Sequence, residues 1–185
     1  MKQTLKSALH RFRSDESGVV TVQFVIIFPV FFFFFLMTYE HGVIAVRNVM
    51  LERGVDVAVR DVRIGTMENP TGELLRQRIC EVAGIIPDCE NQMQIEMDVR
   101  DPRNWVAIPS QVNCIDRSVT ERPVVKFVTG GSNRLVYIRA CVRINPMLPT
   151  TGIGKAIVDN GNAVSGGSYA LVASSAYVVE PTDDE

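Results

Sequence analysis

Apolar residues along this chain come first in one long block and then in periodic fragments. From Gly18 to Met37, 20 consecutive residues carry no formal charge, and Thr21 and Gln23 are the clearly polar ones. A helix of that length rises about 30 Å, the thickness of a hydrocarbon core. A cleavable secretory signal has a shorter apolar region, roughly 7–15 residues, and ends in small residues. This block runs out into Met37-Thr38-Tyr39-Glu40-His41 instead. The pattern predicts a transmembrane helix over 19–38, with Tyr39 as an interfacial aromatic. Pro29 lies inside it, removes one backbone donor, and predicts a kink or local melting around Val25–Pro29.

The helical period continues beyond the block. Over 39–65, Val43, Val46, Met50, Val57 and Ile64 fall along one side, and Ile44, Leu51, Val55 and Val62 widen that stripe. Glu52, Arg53, Asp56, Arg60 and Arg63 fall on the other side, which makes the segment amphipathic. Gly42 and Gly54 weaken it, Arg47 and Asp61 project within the apolar arc, and Gly65 is the expected C-cap. A second helix is predicted over Thr71–Ala83, opened by Asn69-Pro70-Thr71 and ended by Gly84. The alternation of Met93, Ile95, Met97 and Val99 with Gln94, Glu96 and Asp98 predicts a half-buried strand. Leu135–Ile144 and Tyr169–Val179 predict two more, and Val124–Val128 is a short apolar run between them. The rest of 103–133, and 146–167, read as loops, and 181–185 as a solvated tail. Residues 66–185 thus form a small α+β head, with a second helix on a mainly antiparallel sheet of three to four strands.

Charge changes the picture by giving the helix a direction. Net charge is −2 with a pI near 5.8, so no global basic surface points to nucleic acid. The leader, residues 1–18, carries Lys2, Lys6, Arg11 and Arg13 against Asp15 and Glu16. Positive charge on that side predicts a cytoplasmic N-terminus and an outward-facing head, that is, a single-pass inner-membrane protein with a periplasmic C-terminal region. Cysteine usage points the same way. Cys80, Cys89, Cys114 and Cys141 all follow the apolar block, and an even number there fits two disulfides in an oxidising compartment. Four cysteines allow three pairings. The favoured one is Cys80–Cys89 with Cys114–Cys141, because the first pair closes a short loop around Pro87. Zinc binding is disfavoured, since the spacings are too wide for CxxC pairs and no His lies near.

Candidate chemistry is sparse. The only histidines are His10, in the leader, and His41, at the membrane edge, so no Ser/His/Asp or Cys/His set can be assembled in the head. Thr151-Gly152-Ile153-Gly154-Lys155 is too short for a phosphate loop and lacks its preceding strand. We expect no enzyme activity, no metal and no cofactor.

The junction itself carries the remaining signal. A basic leader, Asp15-Glu16, Gly18, and then Val19-Val20-Thr21-Val22-Gln23-Phe24 running to Pro29 resembles the N-terminus of TadE/TadF-like minor pseudopilins of the tight-adherence (Tad/Flp, type IVc) pilus system. Glu40 and Gly42, just after the block, fit the same pattern, and the likeness is specific over about residues 11–42. The resemblance implies cleavage between Gly18 and Val19 by a prepilin peptidase, and assembly through the N-terminal helix by way of Gln23, Phe24 and Pro29. It also implies partners among other pilins and pseudopilins and the inner-membrane assembly platform, and a role in adhesion and biofilm formation. The fifth position after Gly18 is usually Glu in that family and is Gln23 here, which keeps hydrogen bonding but supplies no charge. The competing reading is an uncleaved single-pass membrane protein whose periplasmic domain binds a ligand or partner.

Overall fold

A single α-helix, α1, runs from Val19 to Arg63. The computed structural model describes residues 10, 13, 18–67, 69–115, 124–148 and 168–180. Most of the leader, most of the loop at 146–167 and the tail at 181–185 lie outside the described residues. The chain divides into two compact units, Met1–Tyr39 and Glu40–Glu185.

In the first unit, α1 is apolar and its side chains are exposed from Val19 to Phe35. Among the described residues α1 is the one helix long and apolar enough to cross a membrane. Pro29 does not interrupt it: the segment stays helical on both sides, so the expected local melting is absent. Loss of one donor is confined to one turn, and the bonds of the neighbouring turns carry the helix through.

In the second unit, α1 continues from Glu40 and buries Leu51, Gly54, Val55, Ala58 and Val59. The buried stripe is rotated from the one the large residues predict. Val46, Val49 and Ile64 are exposed, and the packed seam runs through Gly54 and Ala58 instead. The reason is α2, Gly72–Ala83, which approaches so closely that a Cβ on Gly54 would lie 2.7 Å from the Ile79 carbonyl oxygen. Small residues let two helix backbones meet, and the larger side chains flanking them then fill the seam. Helix α2 starts at Thr71, whose side chain accepts from the Leu74 N–H at 3.2 Å, and stops at Gly84, whose N–H returns to the Cys80 carbonyl. Gly65, with φ of 74°, ends α1 as expected. Asp61 pairs with Arg78 of α2 at 2.7 Å, so its place within the apolar arc is explained by a charged partner.

A short turn of helix, α3 (Cys89–Gln92), leads into β1 (Met93–Arg100). β1, β2 (Leu135–Ile144) and β3 (Tyr169–Val178) form one antiparallel sheet in that order. Met97 pairs with Phe127 in a single parallel bridge on the outer edge of β1, which is what the apolar run at 124–128 contributes. Met93, Ile95 and Met97, with Val136, Ile138 and Val142, make the inner face and pack into one core with Leu51, Val55, Leu75 and Ile79. This is an α+β arrangement.

The outer face departs from the predicted half-buried strand. Gln94 and Asp98 of β1 are buried, as is Arg139 of β2, which is 6% exposed. A loop over 101–115 covers Arg139. Arg139 donates to the carbonyls of Pro109 and Gln111 at 3.0 and 3.1 Å, and to the Tyr137 hydroxyl at 2.7 Å. Asp98 is satisfied by Lys126 at 2.6 Å and Arg100 at 3.2 Å. Buried charge survives here because each group has partners of the right kind.

Two disulfides staple the head: Cys80–Cys89, with Cα atoms 5.7 Å apart, and Cys114–Cys141, at 5.3 Å. The first joins α2 to α3, and the second pins the end of the outer loop to β2. The second closes the longer loop, spanning 27 residues against 9. On chain entropy alone, removing Cys114–Cys141 should destabilise the head by about 1 kcal/mol more than removing Cys80–Cys89. Paired Cys→Ala variants compared by denaturant midpoint check the order.

Candidate functional site

The residues singled out at the start of α1 share its first turns. Gly18 is exposed, in a turn, and its carbonyl accepts the Val22 N–H at 3.1 Å, which makes it the entry to the helix. Val19 and Gln23 are four residues apart and so lie on one side of the helix. Phe24 stacks on Phe28 with ring centroids 4.9 Å apart, and Phe28 stacks on Phe32 at 5.6 Å. An aromatic ridge therefore runs along the exposed apolar helix. Pro29 sits on the next turns. The four cysteines are elsewhere, as structural disulfides in the head, with no free thiol among the described residues.

Where the head begins, the structure adds a site that residue patterns left open. Glu40 is 1% exposed, although it follows a solvent-facing apolar run. Its two carboxylate oxygens accept the backbone N–H groups of Met147 (2.9 Å) and Leu148 (3.1 Å), 107 and 108 residues away in sequence. Two charge-assisted bonds are what make burying that carboxylate tolerable. Seven residues on, which is two turns and nearly the same side of the helix, the Arg47 guanidinium donates to the Tyr169 hydroxyl at 3.3 Å. Arg47 thus has a specific partner and is not simply a side chain reaching for water. The connection between β2 and β3 is therefore tied to α1 near both of its ends, at 147–148 and at 169. The sequence signals for this are an acid placed just after the apolar block and its place in the resembling pattern; neither names its partners.

Burial pushes the Tyr169 phenol above the ordinary tyrosine value, and the Arg47 contact pulls part of that back. Burial alone pushes Tyr177 up. Both groups hold their protons more tightly folded than unfolded. Their contribution to stability is therefore complete below a pH of about 10 and is lost as pH rises through the raised values. An alkaline absorbance titration should show a late-ionising tyrosine fraction that Tyr169→Phe and Tyr177→Phe together remove. No group of three or more His, Cys, Asp or Glu among the described residues could hold a metal ion.

The match to known proteins coincides with this stretch of helix. Residues 18–60 fit the family model described as TadE-like protein. The TadE-like segment begins on Gly18 and contains Val19, Gln23, Phe24, Pro29, Glu40 and Arg47. It ends before α2, so it covers about a quarter of the chain. No curated protein and no solved structure matches. The matched stretch takes in both Glu40 and Arg47.

Proposed function

We propose that this chain is a minor pseudopilin or assembly component of a Tad-type pilus, with no catalytic activity of its own. It is made with a cytoplasmic leader, cut between Gly18 and Val19 by a prepilin peptidase, and held in the inner membrane by α1 with its head in the periplasm. Other pilins and pseudopilins, and the inner-membrane assembly platform, are its partners, and adhesion and biofilm formation are the outcome. The observation that carries this reading is the coincidence at Gly18. There the charged leader ends, the helix and the exposed apolar run begin, and the TadE-like match begins.

Each part has a physical support. Lys and Arg in the leader favour retention of that side in the cytoplasm. Two disulfides favour an oxidising compartment for the head. Glycine at the cut leaves the backbone without a Cβ, so a narrow protease cleft can close on it. The Phe24–Phe28–Phe32 ridge gives the helix an aromatic surface with which to pack on other helices once it leaves lipid. Gln23 can hydrogen-bond the free amine of a neighbouring subunit without carrying a charge into the membrane.

Gly18→Leu tests the reading. In cells that carry the pilus system, the variant should accumulate with its leader attached while the native chain is shortened, as read by gel mobility and N-terminal sequencing. Both forms should resist carbonate extraction from membranes. Normal shortening of the variant overturns Gly18 as the cut, and no shortening of the native chain favours the uncleaved ligand-binding alternative.

A further inference from the structure

Residues 146–148 form a stretch whose backbone is prepared for a place without water. Pro146 has no N–H, and the N–H groups of Met147 and Leu148 are both taken by the Glu40 carboxylate at 2.9 and 3.1 Å. Pro149, the next residue in sequence, also lacks an N–H. Four consecutive positions therefore offer no unsatisfied backbone donor. For the donors, that is the condition an apolar medium imposes and water does not. The side chain at the middle of this stretch is nevertheless outward: Met147 is 48% exposed.

The residue that does the tying fixes where this happens along the helix. Glu40 stands three positions after Met37, the last residue of the uncharged block, which is about 4.5 Å of helix rise. Side chains on a helix lean toward its N-terminus, here the end that carries the apolar run. An exposed thioether on a donor-free backbone, held at the boundary residue of an apolar helix, is matched by the acyl-chain edge of a bilayer. Water would leave the methionine's apolar surface unburied and would gain no hydrogen bond from the backbone.

We propose that Met147, with Leu148, is a second lipid contact of this protein. It is an interfacial stretch of the head at the headgroup–acyl boundary, with Glu40 as its positioning residue. The proposal rests on the reading of α1 as a membrane span and adds to it. The protein would then contact lipid at two points of the chain.

The test uses the full chain in phosphatidylcholine vesicles, with Trp105→Phe removing the native indole. Met147→Trp reports the loop, and Phe32→Trp, in a separate protein, reports the span. Lipids brominated high on the acyl chain should quench at least half of the Met147→Trp emission, and deeply brominated lipids much less. The Phe32→Trp emission should be quenched by deeply brominated lipids. Adding Glu40→Ala should lower quenching at 147 at least twofold and leave that of Phe32→Trp unchanged. If Phe32→Trp is quenched but Met147→Trp is quenched no more than Trp105 is in the unmodified chain, the loop is not in lipid and the proposal falls while the span stands. If neither is quenched, the span reading fails and the proposal with it. Quenching at 147 that Glu40→Ala leaves intact removes Glu40 from the account.

Discussion

Gly54→Ala lowers the thermal midpoint of the head by roughly 5–8 °C, whereas Gly42→Ala raises it by a degree or two. In the sequence the two glycines are alike: both interrupt the same predicted helix, and both should be improved by alanine, by up to about 1 kcal/mol. Their surroundings separate them. A Cβ at 42 meets nothing within 4 Å, so only the helix propensity and the smaller unfolded-state entropy act, and both favour alanine. A Cβ at 54 would lie 2.7 Å from the Ile79 carbonyl oxygen and 3.1 Å from the Ile79 Cγ2. The oxygen belongs to the backbone of α2 and cannot rotate away, so the two helices must separate. Separation loosens the core around Leu51, Val55 and Leu75. Overpacking of this kind costs about 1–3 kcal/mol and outweighs the propensity gain. At roughly 2–4 °C per kcal/mol for a domain of this size, an upper-range cost gives the stated shift. Thermal unfolding in detergent micelles, followed by near-UV circular dichroism, reads it. A rise in midpoint for Gly54→Ala would mean that the α1–α2 seam is looser than described.

Glu40→Ala is the other large effect. The carboxylate is buried and accepts two backbone donors, and hydrogen bonds to charged groups contribute about 1.5–3 kcal/mol each. Alanine removes both acceptors and leaves the Met147 and Leu148 N–H groups to find water or go unpaired. We expect a loss of about 3 kcal/mol, together with faster hydrogen exchange at those two amides. Glu40→Gln keeps one carbonyl oxygen and turns the second acceptor into a donor facing a donor. It should cost less than alanine and protect one amide in place of two. Equal exchange in all three proteins would show that Glu40 does not hold the loop.

How far the chain could be read in advance varies by element, and the reasons are physical. The extent of α1, the caps of α2 and the span of β2 follow from local signals: unbroken apolar period, Thr71 and Gly84, and a run of β-favouring residues. The buried side of α1 did not follow from the large hydrophobes. Close helix approach selects small residues, so Gly54 and Ala58 mark the seam while Val46 and Ile64 stay exposed. The clean alternation of Gln94, Glu96 and Asp98 predicts a half-buried strand with a polar outer face on β1. A covering loop pinned through Arg139 is a long-range event that alternation cannot register. The same limit applies to the candidate site. Gly18, Val19, Gln23, Phe24 and Pro29 are legible because they form one contiguous pattern, which the TadE-like match also covers. Glu40 was legible as part of that pattern, but its partners lie more than 100 residues away. For Arg47 the sequence gives only a place within the apolar arc, since Tyr169 is 122 residues distant.

These findings give the TadE-like helix two tasks in one element. Its first half is an apolar surface with an aromatic ridge, and its second half is a core helix of a disulfide-stapled head. Glu40 marks the change of role, buried and bonded where the residues before it are exposed.

The account stands most directly on the mass of the protein recovered from the membranes of cells that carry the pilus system. It predicts an intact species beginning at Val19, with or without an N-terminal methyl group and with four hydrogens fewer than the fully reduced chain for its two disulfides. A species that still begins at Met1, or one that begins near Glu40, would contradict it.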